Sequence, residues 1–261
     1  MPELSAHESR IEIDVEDGLR LPVRAFGAAS PAKLSVVALH GMMSHAGWFH
    51  ALGAELAQRG GLLLAADRRG SGQSRHLPGL DSADRWVEDV RELVRVAHSY
   101  SNRVVLLGWC GGARTALAAA ASGVEVTDIL LAAPALFFSP YLQRRFDALS
   151  GHVGAELPLP FEPLDDFSLA PEVRQFIEAD TLRWNAVPRP FLSPSKVVLE
   201  RALAGLPSIG SPIRCLLATD DRLIDNTRTG ELMAGRQVER ISGAHAIVLE
   251  QPRRLAELLL E

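Results

Sequence analysis

One cysteine in this chain stands in a setting that chemistry can use. Cys110 closes the run Val104-Val105-Leu106-Leu107-Gly108-Trp109-Cys110-Gly111-Gly112-Ala113-Arg114, in which an apolar strand pattern passes through Gly-x-Cys-x-Gly into a helix pattern. A sharp strand-to-helix turn of this form presents a nucleophile in strained backbone geometry, and the glycines leave room for the turn. The helix that opens at Gly111 aims its amide end at the sulfur, which favours a thiolate. The second cysteine, Cys215, lies inside an apolar strand pattern and reads as packing.

A nucleophile needs a base, an acid to orient that base, and donors for developing negative charge. Ser242-Gly243-Ala244-His245-Ala246 follows the last strand pattern and precedes the final helix, and His245 alone of the eight histidines has this placement. In Leu217-Ala218-Thr219-Asp220-Asp221-Arg222-Leu223-Ile224-Asp225 an apolar strand ends in acids. Asp221 is the expected partner of His245, with Asp220 in reserve and Asp225 as the cap of the next helix. Leu39-His40-Gly41-Met42 ends an earlier strand, so the amides of Met42 and Gly111 are the expected oxyanion donors and His40 a structural hydrogen-bonding residue. His45, near that loop, and Trp109, beside the nucleophile, are expected to touch substrate.

The elements that must position these groups alternate along the chain. Residues 10–15 and 19–26, around Glu16-Asp17-Gly18, read as an antiparallel hairpin. Residues 34–39, 62–66, 104–107, 128–132, 213–218 and 238–241 read as short apolar strands covered on both faces. Helical patterns fall at 48–58, 82–98 (with Ser82 as cap), 111–121 and 252–260. Such alternation predicts an α/β fold with a mostly parallel sheet of about eight strands flanked by helices. Residues 137–207 interrupt it and read as a strand-free helical cap, dividing a core of 1–136 and 208–261.

With these residues in place the chain resembles the α/β-hydrolase superfamily over essentially its full length, in particular its monoacylglycerol lipase-like and lysophospholipase-like members. Beyond the elbow, the likeness runs through Leu39-His40-Gly41-Met42-Met43-Ser44-His45, Asp220-Asp221-Arg222-Leu223 and Gly243-Ala244-His245. It also takes in Ala66-Asp67-Arg68-Arg69-Gly70-Ser71-Gly72-Gln73-Ser74, which looks like the family's D-x-x-G-x-G-x-S loop. The resemblance implies the α/β-hydrolase fold and a Ser–Asp–His triad, carried here by Cys110, Asp221 and His245. Cysteine in place of serine departs from the pattern, and looks like dienelactone hydrolases and, locally, polyhydroxyalkanoate synthases.

That departure selects a substrate. Acylating a thiol from an oxygen ester or amide runs uphill, whereas acylation from a thioester is nearly balanced. The expected activity is acyl transfer (hydrolase, thioesterase or acyltransferase) through a covalent Cys110 intermediate. The expected partner is a small-molecule acyl substrate carried on coenzyme A or an acyl carrier protein, or an activated ester or lactone. Elimination or condensation with His245 as base is an alternative, as is a non-catalytic ligand-binding protein that keeps the fold, or a serine enzyme whose nucleophile has been replaced.

Composition bounds the rest. The 261 residues are 47% hydrophobic and 23% charged with a net charge of −5, which excludes a disordered chain and leaves no basic footprint for nucleic acid. No apolar run is long enough for a membrane span, and Met1-Pro2-Glu3-Leu4-Ser5 lacks signal-peptide character. Two distant cysteines suit a reducing cytoplasm, and only Lys33 and Lys196 are lysine, a bias typical of GC-rich bacterial genes. No metal or cofactor is expected, and Gly70-x-Gly72 does not follow a phosphate-loop pattern.

Overall fold

Strict alternation builds the first two strands. In β1 (Glu8–Asp14), Ile11 and Ile13 are buried while Glu12 and Asp14 face solvent. β2 (Arg20–Phe26) pairs with it antiparallel, Ile11 opposite Val23, and Gly18 takes φ 78° in the connecting turn. The computed structural model describes residues 8–27, 31–161 and 164–261, so the opening segment read above for localisation lies outside them.

Continuously apolar runs make the interior strands. β3 (Ser35–Leu39), β4 (Leu62–Ala66) and β5 (Val104–Trp109) are buried at every position, and β6 (Asp128–Ala132) at all but Asp128. β7 (Glu156–Pro158) and β8 (Ala186–Pro188) pair only with each other, while β9 (Ile213–Ala218) and β10 (Gln237–Ile241) return to the main sheet. Its eight strands run in the order β1-β2-β4-β3-β5-β6-β9-β10, parallel from β4 onward. The order reverses at β3, which lies between β4 and β5, and a crevice opens beyond the carboxyl ends of these strands.

Helices cover the sheet in two groups. α1 (His50–Gln58) packs with the C-terminal helices, and α2 (Ala83–His98) with α3 (Gly112–Ala121). α4 (Pro140–Ala148) and α5 (Pro171–Ala179) follow β6, then α6 (Leu192–Gly205), α7 (Asn226–Leu232), α8 (Ile247–Glu250) and α9 (Pro252–Leu260) complete the chain. Ser82 caps α2 by accepting from the Arg85 amide, and Asp225 caps α7 through the Arg228 amide. None of the described helices is long and apolar enough to cross a membrane.

Three expectations need correction. β10 is not covered on both faces: it is an edge strand paired only with β9, and Val238 is 38% exposed. The insertion is not strand-free, because β7 and β8 form a three-residue ladder there. That ladder is bounded by Pro158 and Pro188 and too short to leave a readable period. Finally, α6 does not belong with the insertion by packing. It lies against α3 and α2, burying Val198 and Ala202, with Gly205 so close to Ala121 that an added Cβ would meet that side chain at 2.4 Å.

Candidate active site

The turn after β5 places Cys110 at the crevice with φ 54°, in the left-handed region that a non-glycine residue occupies only under constraint. The flanking glycines explain how the turn closes. A Cβ on Gly112 would stand 2.0 Å from the Leu39 carbonyl oxygen, and one on Gly108 would stand 2.6 Å from Ala113 Cα. Gly111, by contrast, has room for a side chain. The turn is also stitched to the next strand: the Cys110 amide donates to Ala132 O at 3.1 Å, and the Ala135 amide donates to Cys110 O at 3.0 Å.

The acid and the imidazole arrive from the far side. The Asp221 side chain is fully buried, its Oδ1 accepting from the amides of Leu223 (2.9 Å) and Ile224 (3.1 Å). Its Oδ2 lies 2.8 Å from His245 Nδ1. Asp220 is exposed, bonds to Thr219 Oγ1, and stays out of the site. Cys110 and His245 line the same small cavity, and each favours the charged form of the other. Cys110, His245 and Asp221 are therefore brought together.

The electrostatics favour an ion pair. Burial, the largest influence, opposes ionisation of Cys110. The charge and hydrogen bond of His245, with the backbone amides of Gly111 and Met42, outweigh it and hold the thiol below its ordinary value. Burial likewise opposes charging of His245, but the carboxylate of Asp221 and then the sulfur raise its pKa. The amides of Met42 and Gly111, the pair named from the sequence, are among the groups that favour the charged sulfur.

Arg68, which the sequence reading passed over, holds that arrangement from below. Its guanidinium donates to the carbonyls of Gly41 (3.2 Å) and Met42 (3.1 Å) and to Ser71 Oγ (3.0 Å). It is boxed by the rings of Trp86, Trp184 and Phe191 at 5.2, 5.3 and 4.8 Å. Burial lowers its pKa to about 9, so it stays cationic at neutral pH. Fixing two successive carbonyls fixes the peptide planes on either side of Met42, and hence the aim of its amide. Arg68 sits inside the loop motif, but only the aromatic box, assembled from three distant segments, reveals its use. His40 is structural, as expected: its ring bridges Gly41 O and the Arg68 amide.

Two expected substrate contacts lie elsewhere. Trp109 is fully buried; its indole donates to the His245 carbonyl at 2.9 Å and packs on Trp48, Phe49 and Phe167. On a strand its side chain points away from the crevice that Cys110 faces, so it supports the histidine loop instead. His45 is also buried, with Nε2 2.8 Å from Asp180 Oδ2 and Nδ1 accepting from the Gly47 amide, so both ring nitrogens are committed.

The segment after β6 hooks onto the site at three points. Trp184 donates through its amide to Met43 O (2.9 Å) and through its indole to Gly70 O (3.0 Å), and the Ala246 amide donates to Phe167 O (2.9 Å). Beneath it, a cavity of about 30 Å³ lies directly over Cys110 and His245, walled by Phe138, Leu142, Phe161, Phe191 and Ile224. A larger one of about 340 Å³ shares Met42, Arg114, Phe138, Phe146, Phe191 and Ser195 with it.

The model for the family described as serine aminopeptidase, S33, matches residues 30–245. The chain belongs to this hydrolase family. Within the S33 family, the name specifies serine, and this member carries Cys110 at the turn where the sequence resemblance puts that serine. Solved structures agree on the fold. Monoacylglycerol lipase from Paleococcus ferrophilus superposes with a TM-score of 0.76 at 20% identity, covering 93% of this chain and 99% of that one. An esterase from Exiguobacterium antarcticum gives 0.72 at 20% identity, covering 97% and 98%. The thioesterase domain from the curacin biosynthetic pathway gives 0.67 at 18% identity, covering 97% and 99%. A search of curated protein sequences finds no significant match. The α/β-hydrolase fold expected from the sequence is thereby established.

Proposed function

We propose that this S33-family hydrolase is an acyl-transfer enzyme that uses Cys110 as nucleophile, His245 as base and acid, and Asp221 as orienting carboxylate. The observation that carries this reading is the thiol itself: at a left-handed turn, only partly buried, and more acidic than an ordinary cysteine because His245 and two amides act on it. A cysteine kept only for packing has no need of any of these.

The sulfur attacks the acyl carbonyl carbon, and the carbonyl electrons move to an oxyanion held by the Met42 and Gly111 amides, each donor contributing about 3 kcal/mol to the transition state. Collapse breaks the bond to the leaving group, which takes its proton from His245. An acceptor, water or another nucleophile, then loses its proton to His245 and attacks the Cys110 thioester, restoring the thiolate–imidazolium pair. Thioesters suit this cycle because both acyl states lie at similar energy. The substrate class is therefore an acyl thioester, on coenzyme A or a carrier protein, or an activated ester. Residues 137–191 act as the cap, with α6 left to the core, in a protein assigned to the cytoplasm.

Intact mass after incubation with a panel of acyl thioesters tests the reading. An acyl adduct is expected on the wild type and none on Cys110→Ala. No adduct from any donor, or an adduct that persists in the variant, would overturn it.

A further inference from the structure

The larger cavity, which adjoins the one over Cys110, gathers three cations. It is lined by Arg114, Lys196 and Arg228 and by no acid among the described residues. This is notable in a chain of net charge −5. The cavities away from Cys110 each hold at least one acid beside their cations: Asp67 and Asp89 with Arg68, Glu12 and Asp67 with Arg10 and Arg24, and Glu156 with Arg75 and Arg183.

The three cations are poorly neutralised. Among the described residues no carboxylate pairs with the side chains of Arg114 or Arg228. Arg114 is 8% exposed and donates only to Ala135 O and to Ser195 Oγ at 3.2 Å. The Arg228 guanidinium lies 4.2 Å over the ring of Phe137. Lys196 has a loose contact of 3.7 Å with Glu200, both groups exposed, a pairing that water screens. Two nearby acids are engaged: Asp147 accepts from Gln143, and Asp225 caps α7. Arg114 lines both cavities, so the cationic space adjoins the space over the thiol.

We infer that this cavity is an anion-binding subsite, taking a phosphate or carboxylate that the acyl substrate of Cys110 carries. The inference rests on the acyl-transfer reading above and narrows its substrate class to anionic donors. Two sources supply the anion: the phosphates of a coenzyme A or phosphopantetheine carrier, or a carboxylate at the end of the acyl chain. A cavity of about 340 Å³ is within the usual size of a small-ligand pocket, and the apolar rings of Phe138, Phe146 and Phe191 line both it and the cavity over Cys110.

Acylation rates measured by intact mass on the full chain separate the sources. The donors are hexanoyl-coenzyme A, hexanoyl-N-acetylcysteamine, which is neutral, and the mono-N-acetylcysteamine thioester of adipate. At least one anionic donor is expected to acylate Cys110 about tenfold faster than the neutral one, and Arg228→Gln with Lys196→Gln to remove most of that preference. A preference for the coenzyme A donor assigns the anion to the carrier; a preference for the adipate donor assigns it to the acyl chain. Binding is read independently of turnover by protection of Cys110 against iodoacetamide by coenzyme A or adipate, in wild type and double variant. Equal rates for all donors, a preference that survives the double variant, or no protection by either anion would overturn the subsite. Protection lost in the double variant, without any acyl adduct, would keep the subsite and remove the acyl-transfer reading.

Discussion

Cys215 lies within β9 and Cys110 just beyond β5, the two strands that flank β6; the first is buried and the second partly so. Cys215 pairs across from Leu131 in mid-strand, wholly buried, and burial alone pushes its thiol up to about 12. Cys110 sits just past the end of β5, where the chain turns through φ 54°, and its thiol is held below the ordinary value. Burial opposes ionisation at both. What separates them is the carboxyl edge of the sheet, where loops deliver an imidazole and two backbone amides to one sulfur and nothing to the other. In this chain the acidity of a thiol follows its position along the strand.

The contrast can be broken most directly by removing each sulfur. Cys110→Ala is expected to lower acyl turnover on the order of 10⁴-fold or more, while Cys215→Ala stays within about twofold; steady-state kinetics with an acyl thioester decides. A comparable loss in both would dissolve the distinction. His245→Asn comes next, with turnover falling about 10³-fold. Its sharper readout is alkylation of Cys110 against pH. In the wild type the reactive thiolate appears below pH 9, and in the variant the profile moves upward, because burial, which raises the thiol pKa, is no longer opposed by the imidazolium. An unmoved profile would show that His245 does not set the thiol.

Arg68→Met should loosen the Met42 peptide and lower turnover about 10- to 100-fold with a smaller change in KM, since the amide acts mainly on the transition state. A pure KM effect would place Arg68 in ground-state binding instead. The smallest effect concerns stability. Folded Cys215 stays neutral up to about pH 12, whereas an exposed thiol ionises near 9.0. Unfolding therefore releases its proton above pH 9, and that contribution to stability falls as pH rises from 9 toward 12. Urea unfolding across this range should show a steeper decline for wild type than for Cys215→Ala.

Much of this was legible before any coordinates. Apolar runs located β3, β4, β5, β6 and β9, because buried parallel strands must be apolar at nearly every position, while alternation around a turn located the β1–β2 hairpin. The strand–Gly-x-Cys-x-Gly–helix run located Cys110, since the close approach at Gly108 and Gly112 leaves few other residues there. Asp221 and His245 followed from their places at strand ends. What escaped was the direction of side chains and the company they keep. Trp109 is adjacent to Cys110 in sequence yet its indole turns to the His245 carbonyl, and His45 is near the Gly41–Met42 loop in sequence but turned onto Asp180, more than a hundred residues away. Arg68 could not be read because its carbonyl and ring partners come from four separate stretches of chain. α6 was assigned to the cover because helical periodicity says that a face is apolar, not which neighbour it meets.

The hooks made by Trp184 and by Phe167 have a bearing on how such an enzyme could diversify. A cover that merely rested on its scaffold could be exchanged between homologues like a lid between jars. Here the bonds end on Met43, Gly70 and Ala246, chain neighbours of Met42, Arg68 and His245 at the candidate site. A transplanted cover lacking those donors and acceptors would release the oxyanion loop and the histidine loop together. New specificity in this lineage is thus expected to arise through side-chain changes within the existing cover more readily than through its replacement.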